Sequence, residues 1–84
     1  MVKVEIYTKD WCGYCARAKR LLAERGAAVT EYPVDMDRDR RAEMIERAGG
    51  RTTVPQIFID GDHVGGCDDL LTLDRSGRLA ELLA

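Results

Sequence analysis

Val2-Lys3-Val4-Glu5-Ile6-Tyr7-Thr8-Lys9-Asp10-Trp11-Cys12-Gly13-Tyr14-Cys15-Ala16-Arg17-Ala18-Lys19-Arg20-Leu21-Leu22 decides the fold, because the spacing of its apolar residues changes period part-way along. Up to Thr8, Val2, Val4 and Ile6 alternate with Lys3, Glu5 and Tyr7, which predicts a strand packed on one side. Beyond Cys12 the apolar set Cys15, Ala18, Leu21, Leu22 and Ala23 follows helical spacing, with Arg17, Lys19, Arg20 and Glu24 toward water. Gly26 is placed to stop this helix. Cys12 therefore stands at a strand-to-helix junction, and Cys15 follows one turn later on the same face.

The remaining chain divides in the same way. Val29-Thr30-Glu31-Tyr32-Pro33-Val34 reads as a second strand, at a sheet edge or a strand end because Pro33 lacks a ladder donor. Residues 37–48 read as a surface helix with Met44, Ile45 and Ala48 inward, ended by Gly49-Gly50. Pro55 to Asp60 is a third strand, and Asp60-Gly61-Asp62 is a hairpin turn leading into His63-Val64. From Cys67 to Ala84, Leu70, Leu71, Leu73, Leu79, Leu82 and Leu83 predict one helix plus a short terminal turn, broken at Ser76-Gly77. The order βαβα then ββα predicts a mixed sheet covered by helices, since parallel strands need a crossover and hairpins do not.

With 84 residues, 45% hydrophobic and 33% charged, the chain reads as one soluble globular domain over residues 1–84. No apolar run approaches the roughly 18 residues of a membrane span, and the alternating N-terminus is unlike a signal peptide. A formal charge of −2 from 13 basic and 15 acidic side chains offers no single-sign field to recruit nucleic acid. Three cysteines, an odd number, argue against an extracellular disulfide framework and for a reducing compartment, the cytoplasm.

Cys12-Gly13-Tyr14-Cys15 is the motif that carries chemistry. Unpaired N–H groups and the positive end of the helix dipole favour a thiolate at Cys12, and cationic Lys9 adds to this, so Cys12 is the expected attacking sulfur. Cys15, one turn deeper, is expected to stay protonated until it resolves a mixed disulfide at Cys12. The same spacing is also half of many zinc sites, and Cys12, Cys15, His63 and Cys67 would make a Cys₃His set. A structural zinc module is the minor alternative, because the amphipathic pattern already supplies a core and His63 reads as a solvated turn residue.

Three separated segments converge on one family: residues 7–15, Tyr7 to Cys15; Arg51-Thr52-Thr53-Val54-Pro55-Gln56-Ile57-Phe58-Ile59; and Gly65-Gly66-Cys67-Asp68-Asp69-Leu70. Together they resemble the dithiol glutaredoxins, nearest the bacterial glutaredoxin 3 type, along nearly the whole chain. The resemblance implies a thioredoxin fold, α/β, with a four-stranded mixed sheet flanked by three main helices. It also implies a glutathione-dependent thiol–disulfide oxidoreductase that reduces protein disulfides and glutathione mixed disulfides as a monomer, with Cys12 as nucleophile and Cys15 as resolving thiol.

By the same resemblance, glutathione lies among Lys9, Tyr14, Arg41, Thr53, Val54, Pro55, Gly66, Cys67 and Asp68. The residue matching Pro55 is cis in the family, whereas sequence alone favours trans, because X–Pro bonds in folded proteins are cis in only about 5% of cases. Val54 would pair with the glutathione backbone, Lys9 would face its glycyl carboxylate with Arg41 as a second cation, and Tyr14 would border the tripeptide. Gly65-Gly66 admits a close approach, while the following helix start and Asp68 would hold the γ-glutamyl end. Asp69 reads more plainly as a first-turn acid, Cys67 as a small residue closing the helix start, and Arg38, Arg40 and Arg47 as solvated charges. Tyr7, Trp11 and Phe58 read as packing or substrate-surface residues.

Gly13 departs from the family pattern, which usually has proline after the first cysteine. Some relatives lacking that proline hold a [2Fe–2S] cluster between two subunits through the first cysteine and bound glutathione. A cluster carrier or sensor, dimeric through Cys12 and glutathione, is therefore the alternative reading; no metal enters the main one.

Overall fold

The change of period at Cys12 is realised as a strand followed by a helix, and the computed structural model, which describes residues 2–84, continues the alternation to the C-terminus. The elements are β1 (Val4–Thr8), α1 (Gly13–Glu24), β2 (Val29–Pro33), α2 (Arg38–Arg47), β3 (Gln56–Ile59), β4 (Asp62–Gly65), α3 (Cys67–Arg75) and α4 (Arg78–Leu83). The tail is thus one helix and a six-residue terminal one, separated at Gly77, whose φ is +79°. Gly26, also at φ +79°, lets the Ala27 N–H turn back to the Leu22 carbonyl at 3.0 Å and close α1.

The strands lie in the order β2-β1-β3-β4. β1 runs parallel to β2, from Val4 opposite Val29 to Thr8 opposite Pro33, and antiparallel to β3, with Ile6 opposite Ile57. β2 is an edge strand, which accommodates Pro33. β3 and β4 form a hairpin on the two-residue loop Asp60-Gly61, whose φ angles of 49° and 83° are those of a primed turn, with a register shift at Ile57/Phe58.

Helices cover both faces. On one, Ala18, Leu21 and Leu22 of α1 pack with Leu70 of α3 and Leu79 of α4 against Val4, Ile6, Ile57 and Ile59. On the other, Met44 of α2 and Ala48 meet Tyr7 and Phe58. β1 is therefore buried on both sides, not one: Glu5 is 6% and Tyr7 0% exposed, because β1 is a central strand and α2 closes its second face. Ala23, in contrast, lies on the solvent side of α1.

Charge completes the α2 face. The Arg47 guanidinium donates to both Glu5 oxygens, at 3.2 and 3.0 Å, and to the Tyr7 hydroxyl at 2.8 Å, and lies 4.1 Å from the Phe58 ring centroid. Arg40 sits over the Tyr32 ring. Both arginines thus cover aromatic rings, where the sequence pattern makes them solvated. Among the described residues no helix is long and apolar enough to cross a membrane.

Candidate functional site

The candidate side chains gather where the end of β1, the loop before β3 and the start of α3 lie side by side. Cys12 is the N-cap of α1, in extended conformation, and its Sγ accepts the Cys15 N–H at 3.1 Å. A sulfur in this place takes the capping role of a serine or aspartate oxygen, and the helix dipole stabilises negative charge on it. Cys12 is half-buried, while Cys15 is 2% exposed. The two sulfurs are joined as a disulfide across Cα atoms 5.2 Å apart.

Trp11, with φ +58°, makes the tight turn into this cap and is fully exposed, so it belongs to the outer surface beside Cys12 rather than to the core. Tyr7 and Phe58 are core residues.

Two cavities meet at Thr53 and Val54. The first, about 320 Å³, is lined by Tyr14 of α1, Thr53, Val54 and Pro55 of the loop, and Gly66, Cys67 and Asp68 at the start of α3, together with Arg51 and Asp69. The second, about 440 Å³, is lined by Lys9, Val34, Asp35 and Arg41 with Thr52, Thr53 and Val54. Every residue assigned to glutathione by resemblance thus borders one of two adjoining spaces. Lys9 and Arg41 share the second, and Lys9 also borders the surface pocket that contains Cys12 and Cys15. The Val54–Pro55 bond is cis, as the resemblance implies and the base rate does not.

Arg51 and Asp69 were not legible as site residues. The Asp69 carboxylate accepts the Gly66 N–H at 2.9 Å and the Arg51 guanidinium at 3.2 Å, and these bonds, the Gly66 one foremost, hold its pKa below the usual range. Asp69 keeps its plain first-turn role and also fixes the Gly65-Gly66 approach. Gly65 has φ +119°, and a Cβ there would collide with the Asp69 carboxylate and the Arg51 guanidinium, so only glycine fits. The available signal was an arginine directly before Thr-Thr-Val-Pro and an acid at the third helical position, but nothing local links them.

Burial pushes the Cys67 thiol up, keeping it protonated and weakly nucleophilic. His63 is exposed, as read, but it is a strand residue and not a turn residue: it belongs to β4, stacks on Phe58 with centroids 4.9 Å apart, and its Nε2 lies 2.6 Å from Gln56 Oε1. Among the described residues no three His, Cys, Asp or Glu side chains are placed to hold a metal ion, so the Cys₃His zinc set is not assembled.

The profile of the Glutaredoxin family matches residues 4–64. Glutaredoxin 3 of Escherichia coli strain K12 is 58% identical over 83 residues, 99% of each chain. The chain belongs to the glutaredoxin family. Glutaredoxin from Pseudomonas aeruginosa is 51% identical over 84 residues, all of this chain and 99% of its own. Among solved structures, a Brucella melitensis glutaredoxin superposes with a TM-score of 0.85 at 55% identity, covering 99% of this chain and 89% of its own. A buckwheat glutaredoxin–glutathione complex superposes with a TM-score of 0.87 at 34% identity, covering 98% and 76%. The sheet and its helices are accordingly a thioredoxin fold, and this glutaredoxin is a glutathione-dependent thiol–disulfide oxidoreductase with Cys12 and Cys15 as its redox pair.

Proposed function

We propose that residues 1–84 act as a single glutaredoxin domain in the reducing cytoplasm, with Cys12 opening every reaction and Cys15 acting only on protein disulfides. The asymmetry of the two cysteines carries this reading: Cys12 caps a helix at a half-open surface, while Cys15 is 2% exposed. In deglutathionylation the Cys12 thiolate attacks the glutathione sulfur of a mixed disulfide. A Cys12–glutathione disulfide forms, the old S–S bond breaks, and the substrate thiolate leaves and takes a proton from water. A second glutathione thiolate attacks the bound glutathione sulfur, giving glutathione disulfide and restoring Cys12.

With a protein disulfide, Cys12 forms a mixed disulfide with one substrate sulfur and Cys15 displaces that sulfur, leaving the Cys12–Cys15 bridge and a reduced substrate. Two glutathiones then return the two electrons and leave as glutathione disulfide. Within the cavities, the α3 start and Asp68 receive the γ-glutamyl carboxylate and ammonium, Val54 pairs with the tripeptide backbone, and Lys9 with Arg41 receives the glycyl carboxylate. Support comes from the placement of Asp68 and the α3 start in one cavity and of Lys9 and Arg41 in the other, and from the glutathione complex of the buckwheat relative.

Replacement tests the division of labour. Cys12→Ser is expected to abolish both activities, and Cys15→Ser to abolish reduction of protein disulfides while sparing deglutathionylation. Loss of deglutathionylation in Cys15→Ser would sink the monothiol step. A cluster-bridged dimer through Cys12 and glutathione is the second reading, raised by Gly13 standing where the family pattern usually has proline. Protein purified without air would then be brown and dimeric; a colourless, glutathione-dependent monomer supports the enzyme alone.

A further inference from the structure

We propose that Gln56 and His63 are a positioning pair that holds Thr53 in place and thereby sets the preference of the neighbouring cavity for a glutathionyl group. The inference rests on the reading that this cavity receives glutathione.

The loop that borders both cavities is anchored at its two ends, by the Arg51–Asp69 pair and by Val54, packed against the core, with the buried Pro55, while Thr52 and Thr53 between them are exposed. Residues 51–55 form neither helix nor strand. Among the described residues, no backbone–backbone hydrogen bond outside the regular elements involves positions 52–55. Thr53 itself is exposed. Its tie to the interior is the side chain of Gln56, at the start of β3 and 0% exposed, whose Nε2 donates to the Thr53 carbonyl at 3.0 Å and to the Thr53 Oγ1 at 3.3 Å.

An amide nitrogen has two hydrogens, and both go to Thr53. That orientation turns Oε1 of Gln56 the other way, toward His63 Nε2 at 2.6 Å. A buried carbonyl oxygen without a donor carries the full cost of its lost hydration, so the imidazole must carry its proton on Nε2 and donate it. The ring is in turn held flat on Phe58, with an interplanar angle of 28°, and Phe58 is buried beside Arg47. Through Gln56 and His63, the exposed Thr53 is thus referenced to the buried Phe58 of the sheet. The hairpin makes this arrangement available, because Gln56 and His63 lie on opposite arms either side of Asp60-Gly61.

His63→Phe retains a ring for Phe58 and removes the donor; His63→Gln restores an N–H at the place of Nε2. Each is compared with wild type in single-turnover attack by reduced Cys12, followed through the fluorescence of adjacent Trp11. The substrate is one cysteine peptide, carried as a mixed disulfide either with glutathione or with 2-mercaptoethanol. His63→Phe is expected to lower the glutathione-to-mercaptoethanol rate ratio about ten-fold, the worth of one well-placed hydrogen bond, and His63→Gln to restore most of it. An unchanged ratio with a lowered melting temperature would overturn the inference, since a merely structural role destabilises the fold without changing selectivity. If wild type shows no preference for the glutathione disulfide, the glutathione reading of the cavity fails and this inference with it. Should His63→Phe not fold, ¹⁵N shifts of the wild-type imidazole decide: a proton on Nε2 supports the pair, a proton on Nδ1 alone overturns it.

Discussion

On one face of the sheet, α1, α3 and α4 bury Val4, Ile6, Ile57 and Ile59 under Leu21, Leu22, Leu70 and Leu79, an apolar cluster. On the other, α2 brings Met44 to Tyr7 and Phe58, and much of the surrounding contact is made by polar groups: Arg47 with Glu5, Arg40 and Tyr7 with Glu43, Tyr32 with Glu5, Gln56 with His63. The first face needs only apolar residues of suitable volume at the right period, and tolerates exchanges that keep volume. The second works through named pairs, each of which leaves a charged or polar partner stranded if broken. The site draws on both. Cys67 is seated in the apolar side, while the Thr53 loop is held from the polar side by Gln56.

The largest effect that would sharpen this contrast is expected at Leu70, fully buried in the apolar cluster. Leu70→Ala should cost about 3 kcal/mol by denaturant unfolding, from lost transfer energy plus the cavity left behind. A cost under about 1 kcal/mol would show that this face collapses around the gap. The next effect belongs to the polar face. Arg47→Met keeps bulk over Phe58 but leaves the Glu5 carboxylate with the Tyr32 hydroxyl at 2.9 Å and Lys3 at 4.0 Å. A loss of about 2 kcal/mol is expected, below the cost for a fully buried pair because the Arg47 side chain is 27% exposed. Adding Glu5→Gln to Arg47→Met should recover part of the loss, since the stranded charge is then gone. Full additivity would break the pairwise account.

The apolar face was legible in the sequence because a period records residue type at each position, and residue type is all that face requires. The same period, applied to β1, assigned one buried side and left Glu5 and Tyr7 to solvent. It had no means of seeing that Arg47, 42 residues after Glu5, would fold over that strand. The helix 38–47 read as a charged surface for the same reason, although Arg40 and Arg47 both spread over aromatic rings. Cys12 and Cys15 were legible from local chemistry, and three motifs read together named Lys9, Thr53 to Pro55 and Gly66 to Asp68, which line the two cavities. Arg51 escaped because its meaning depends on Asp69, 18 residues on. His63 escaped because its meaning depends on Gln56 across the hairpin; the register about Asp60-Gly61 was the one signal that placed them near each other.

The smallest effect concerns acid. Arg47 foremost, then the Tyr32 hydroxyl, hold the Glu5 carboxyl below its ordinary value of 4.5 despite its burial. A carboxylate depressed in the folded state contributes stability above its unfolded value, and that contribution is lost as pH falls through the folded value. Glu31, Glu43 and Asp69 are depressed as well, so wild type is expected to lose stability on acidification below about pH 4.5 through several groups together. Glu5→Gln removes one of them, and its stability measured from pH 7 to pH 3 should fall less steeply than that of wild type. Leu70→Ala, on the apolar face, should follow the wild-type slope from a lower starting point. Equal slopes in wild type and Glu5→Gln would mean that the Glu5–Arg47 pair adds no charge-dependent stability, and that the α2 face rests on the Arg47 contacts with the Tyr7 and Phe58 rings instead.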